Sequence, residues 1–73
     1  MTTKDAVLLA GHGSRRNESN RQVRDVAERL ESRLGDPVKP AFIELEEPLL
    51  HDGIDALAET ADSITVVPLT LFA

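Results

Sequence analysis

Three short strand-like runs govern what this chain can fold into: Ala6-Val7-Leu8-Leu9-Ala10, Ala41-Phe42-Ile43 and Ser63-Ile64-Thr65-Val66-Val67. A brief continuous apolar run bounded by turn residues fits a strand buried on both faces, as in a parallel sheet. The third run is rich in β-branched residues, which favour the same pleated surface. Strands are therefore expected over 6–10, within 38–45 and over 63–67, with Pro68 at or near the end of the third, where its missing N–H does least harm.

The segments between these runs have helical spacing. Val23, Val26, Ala27, Leu30 and Leu34 place one apolar stripe on a helix. Ser19 followed three residues later by Gln22 resembles a capping box, with Asn17 as an alternative cap. Gly35 suits the position just past the helix end, and Pro37 stops it. A second helix is expected from Pro48, a residue favoured at the first helical position. Leu50, Ile54, Leu57, Ala58 and Ala61 would be its buried stripe, and Gly53 would weaken it by about 1 kcal/mol relative to alanine.

The resulting order is β-α-β-α-β, an α/β unit. Each crossover is long enough for the right-handed connection of parallel strands. The expectation is a three-stranded parallel sheet with the first strand in the middle and nothing covering the outer edge of the third. The 73 residues make at most one small domain, which buries only about 60% of the surface its unfolded chain exposes. There is no cysteine to supply a disulfide or a thiolate metal site. Either this core suffices, or a second copy of the chain covers what one copy leaves open.

Charge and hydropathy narrow the partners. A net charge of −5 argues against non-specific nucleic-acid binding, which depends on neutralising phosphates with Lys and Arg. No apolar run approaches the roughly 20 residues that span a bilayer. Residues 1–5 lack the charged and apolar regions of a signal peptide. A cytoplasmic protein with neither nucleic-acid nor membrane partner is expected.

In open α/β sheets ligands bind outside the carboxyl ends of the strands. Three segments fall on that rim: 11–20, 44–47 and 68–73. Gly11 and Gly13 flank His12, which permits unusual backbone angles and clears bulk from beside the imidazole. The turn is not a dinucleotide fingerprint, because Arg16 stands where the third glycine belongs, and no phosphate-loop motif occurs. No G-x-S-x-G nucleophile elbow exists either. His12 is left as a general base, a metal ligand or a loop histidine that bonds locally. Glu44 either assists it or is simply exposed at its strand exit. Ser14, Arg15, Arg16, Asn17 and Asn20 surround a helix N-terminus, which suits a ligand bearing several carboxylates; the two arginines also read as solvated surface. His51, beside Asp52, reads as a surface helix residue.

Taken together, Leu8-Leu9-Ala10-Gly11-His12-Gly13-Ser14-Arg15, then Asn20, then Phe42-Ile43-Glu44-Leu45 and Glu47-Pro48, then Ile64-Thr65-Val66-Val67-Pro68-Leu69-Thr70-Leu71-Phe72-Ala73, resemble the small sirohydrochlorin chelatase family. The resemblance implies a flavodoxin-like (chelatase-like) fold, of which residues 1–73 are the N-terminal part of a single domain. It implies insertion of Co²⁺, or Fe²⁺ or Ni²⁺, into sirohydrochlorin for cobalamin or siroheme, with the metal as substrate and no organic cofactor. It further implies a homodimer with the tetrapyrrole bound in a cleft between subunits. His12 matches the family's first metal-binding histidine and Glu44 the acid after its second strand, both in catalytic roles; Ser14, Arg15 and Asn20 would bind substrate. The family's second metal-binding histidine follows a glycine past the third strand, beyond Ala73, and His51 lies in the wrong element to replace it. Two other readings stand beside the enzyme: a self-associating structural half-domain, and a simple metal- or tetrapyrrole-binding protein.

Overall fold

Strand β1 (Asp5–Gly11) is the axis of the fold. In a computed structural model, which describes residues 4–69, it is followed by α1 (Asn17–Leu34), β2 (Val38–Phe42), α2 (Leu50–Ala58) and β3 (Ser63–Leu69). The strands form one sheet in the order β2-β1-β3. Both pairings are parallel, with Gly11 opposite Phe42 on one side and Leu69 on the other. The expected β-α-β-α-β unit with β1 in the centre is what the chain forms.

The period-2 alternation of β1 divides the core between two layers. Leu9 packs with Val23, Ala27, Val38 and Phe42 under α1. Leu8 and Ala6 point the other way, onto Ala41 and Leu57 under α2. Phe42, Leu8, Leu9 and Val23 are the largest fully buried side chains. β1 is thus apolar at consecutive positions because both of its faces are covered. β3 differs: Val66 and Val67 are 42% and 39% exposed, and among the described residues only β1 pairs with it. Pro68 lies opposite Ala10, one residue before the end of β3, as expected.

The element boundaries depart from expectation in three places. α1 begins at Asn17 with Arg16 as its N-cap and no side-chain cap, so neither Ser19 nor Asn17 plays that part. The earlier start puts Asn20 in the first turns, where its side chain reaches back to Ser14. β2 ends at Phe42, two residues before the expected exit near Glu44; ladder-like bonds from Ile43 and Glu44 continue until Leu45, at φ 67°, turns the chain away. α2 starts at Leu50, not Pro48. The Pro48 carbonyl accepts a hydrogen bond from the Phe42 N–H at 2.8 Å, which keeps that residue tied to the sheet. The end of α1 is as expected: Gly35, at φ 78°, donates its N–H to the Glu31 carbonyl.

Gly53 has a role its helix propensity hides. The inward face of α2 is Gly53 and Leu57, while Ile54 is 36% exposed. A Cβ on Gly53 would stand 3.0 Å from both the Ala41 Cβ and the Leu8 Cδ1. The missing side chain lets the helix backbone lie directly on the sheet. Ala41 Cβ is fixed to a strand, and Leu8 is fully buried, so neither neighbour can swing aside. Gly53→Ala is therefore expected to lower stability by about 1 kcal/mol, overpacking outweighing the helix-propensity gain. A higher urea midpoint for the variant would contradict this packing account.

Candidate functional site

Because β1 and β2 are parallel neighbours, their carboxyl ends emerge together, and the residues that follow continue side by side. The ladder runs past the strands: the Ile43 N–H donates to the Gly11 carbonyl at 3.0 Å and the Glu44 N–H to the His12 carbonyl at 3.1 Å. This register brings His12 Nε2 to 3.5 Å from Glu44 Oε1. Both side chains face solvent, at 77% and 59% exposure. The two best candidates from the sequence are thus one unit, an imidazole and a carboxylate open to an incoming ligand.

Two glycines permit this approach. Gly13 has φ 97°, and a Cβ there would sit 1.6 Å from the Glu44 carbonyl oxygen. That oxygen belongs to the backbone and cannot move without moving Glu44. A Cβ on Gly11 would stand 3.0 Å from Val23 and 3.2 Å from the Phe42 ring, so the last residue of β1 is also held to a minimal size.

The remaining expected residues divide. Arg15 and Arg16 are exposed beside an α1 N-terminus that has no side-chain cap. The Ser14 hydroxyl accepts a hydrogen bond from the Arg16 N–H at 3.0 Å. Asn20 is only 3% exposed. Its Oδ1 accepts from the Ser14 N–H at 3.0 Å and its Nδ2 donates to the Ser14 carbonyl at 2.7 Å. Asn20 therefore holds the His12 turn from beneath and does not face the rim as a ligand group would. His51 pairs with Asp52 at 3.2 Å on the exposed side of α2. Residues 70–73 of the third rim segment lie outside the described residues.

Arg24 was not among the expected site residues. Its guanidinium donates from Nη1 to Glu46 Oε2 at 3.0 Å and from Nη2 to the Glu47 carbonyl at 2.9 Å. It also lies over the Phe42 ring, 5.2 Å from the centroid. The hydrogen bond from Arg24, followed by that from the Glu47 N–H, lowers the Glu46 carboxyl below its ordinary 4.5. The only sequence signal is that Arg24 stands one helical turn beyond Asn20; nothing marks its partner 22 residues away.

Chemically, a neutral imidazole nitrogen and a carboxylate oxygen can share a divalent cation or accept protons. Among the described residues no three His, Cys, Asp or Glu side chains cluster to hold a metal. A cation at His12 and Glu44 would keep most of its coordination positions open, as suits a metal in transit more than one held for structure.

A family model described as CbiX matches residues 6–73, which include both members of the pair described above. The chain belongs to the CbiX family. Among curated relatives, it is 42% identical over 69 residues to a sirohydrochlorin cobaltochelatase of Methanopyrus kandleri, covering 90% of this chain and 48% of the relative. It is 36% identical over 70 residues to a sirohydrochlorin ferrochelatase of Bacillus subtilis, covering 93% and 27%. To a chloroplastic sirohydrochlorin ferrochelatase of Arabidopsis thaliana it is 34% identical over 70 residues, covering 93% and 31%. This CbiX-family chain thus spans between about a quarter and a half of the length of those relatives.

Two outcomes follow from the loop geometry. Gly13→Ala should cost more than about 3 kcal/mol, since it combines a backbone clash with an unfavourable φ. A urea midpoint within error of the wild type would refute that close approach. Glu46 has a lowered folded-state pKa, so its contribution is fully present above 4.5 and fades as pH falls towards the lowered value. Glu46→Gln should flatten part of the loss of stability as pH falls from 4.5 towards the lowered folded-state value, read from denaturant midpoints; an unchanged slope would sink the assignment.

Proposed function

We propose that the protein is a sirohydrochlorin chelatase, a lyase-type enzyme that inserts a divalent metal into the tetrapyrrole for cobalamin or siroheme synthesis. The observation that carries the reading is the exposed His12–Glu44 pair, 3.5 Å apart on adjoining strand ends in a CbiX-family chain. Co²⁺ is the metal we favour, with Fe²⁺ and Ni²⁺ as further candidates. Relatives named for cobalt and for iron both match, and imidazole with carboxylate accepts all three.

Insertion exchanges one M²⁺ for two protons on the pyrrole nitrogens. In the proposed sequence His12 Nε2 presents the metal, with Glu44 offsetting its charge. The metal passes to the ring nitrogens, and the freed imidazole and the carboxylate each accept one of the departing protons before releasing it to water. His12 thus acts as metal donor and then as base, roles open to an imidazole because the same nitrogen lone pair that binds a divalent metal can accept a proton.

The substrate's peripheral carboxylates would meet Arg15 and Arg16 at the open N-terminus of α1, where free N–H groups and the helix dipole favour anions. Ser14 contributes its hydroxyl proton at the same turn, since its backbone N–H and carbonyl are taken by Asn20. Asn20 serves the substrate indirectly, by shaping that turn. Residues 1–73 are read as the N-terminal part of a single chelatase domain that acts as a homodimer in the cytoplasm. No helix among the described residues is long and apolar enough to cross a membrane.

The test is insertion of Co²⁺ into sirohydrochlorin, followed by the absorbance change of the ring. His12→Ala should slow insertion by about 100-fold or more and Glu44→Gln by about tenfold. Insertion at the wild-type rate in His12→Ala would overturn the assignment. Binding of metal or tetrapyrrole without insertion, by a folded chain, would make it a binding protein instead.

A further inference from the structure

We propose that Arg24 is a positioning residue for the site, holding the β2–α2 loop so that Glu44 stays beside His12. The inference rests on the chelatase reading for its functional consequence, although not for its structural one. Glu44 lies in a six-residue segment, 43–48, that has no regular structure. Its front is tied down by the Ile43 and Glu44 amides on β1 and the His12 turn, and its back by the Pro48 carbonyl on Phe42. Between those anchors, Leu45 holds φ at 67° with its side chain 54% exposed. A branched residue in that region relaxes unless its surroundings over-determine it.

Arg24 supplies that determination. Its fork takes the Glu46 carboxylate and the Glu47 carbonyl together, and Glu46 Oε1 in turn accepts the Glu47 N–H at 3.2 Å. The guanidinium is itself located by the Phe42 ring beneath it, a side chain with no exposure. An isolated surface ion pair would hold two mobile side chains together and contribute little. This one joins a helix to a backbone carbonyl across a turn that must stay strained. Lysine cannot reproduce it, because a single ammonium lacks the planar two-point fork. Asn20 grips the His12 turn from one helical turn earlier on α1, so a single helix face secures both loops of the pair.

The decisive measurement is amide hydrogen exchange in the full chain, with Arg24→Met, which keeps the apolar stem over Phe42, and Arg24→Lys. Arg24→Met should speed exchange at Glu44 and Ile43 by about tenfold while leaving Leu8 and Leu9 in β1 unchanged, and Arg24→Lys should restore part of the loss. Uniform acceleration everywhere, or no change at Glu44, overturns the proposal. The functional arm is Co²⁺ affinity by titration calorimetry. Arg24→Met should weaken binding about fivefold in the wild type and not at all in Glu44→Gln, because the effect passes through Glu44. Equal losses in both backgrounds would overturn that route. If the wild type binds no Co²⁺ while the local exchange effect is present, the chelatase reading fails and the positioning role stands.

Discussion

The parallel pairing of β1 with β2 is the constraint from which the rest of the molecule follows. It places Gly11 opposite Phe42 and carries the hydrogen bonding two residues further, through Ile43 and Glu44. An antiparallel pair would have sent His12 and Glu44 to opposite ends of the sheet. Parallel strands need a long crossover, and α1 is that crossover. The helix that makes the pairing feasible also caps the core around Phe42 and Val23. Fold and site are consequences of one connection.

α1 does more than return the chain. Its inward face fills the core with Val23 and Ala27. Near its start, Asn20 and Arg24 extend polar groups to the two loops above the strand ends. Further along, the Glu31 carboxylate accepts the Val38 N–H and pairs with Lys39, so the same helix also fixes where β2 begins. Both the backbone bond from Val38 and the contact from Lys39 lower the Glu31 carboxyl from its ordinary value.

What was legible in the sequence was whatever periodicity or adjacency encodes. The doubly apolar run at Leu8 and Leu9 announced a strand covered on both faces, and the stripe from Val23 onward announced α1. Once β1 was placed centrally, the nearness of His12 and Glu44 followed from topology, although not their 3.5 Å separation. What was not legible depended on contacts between distant residues. Ser19 and Asn17 both carry good capping chemistry, yet α1 starts at Asn17 behind Arg16 with no side-chain cap, a start that lets Asn20 reach Ser14. Gly53 looked like a weak point in α2 because propensity is local, whereas its reason for being glycine is Ala41 and Leu8 on another element. Arg24 could not be matched to Glu46 by any spacing rule.

Strand β3, paired on one edge only among the described residues, has a consequence for how the chain behaves in company. Its Ile64-Thr65-Val66-Val67 segment is strongly β-prone, uncharged and half open to water, and among the described residues its outer edge has no partner strand. Such a segment is a template for uncontrolled strand addition, the first step towards insoluble aggregates. The overall charge of −5 then acquires a colloidal meaning: mutual repulsion between chains opposes the sticking that β3 invites. The balance shifts with salt, which screens the repulsion and leaves the apolar attraction intact.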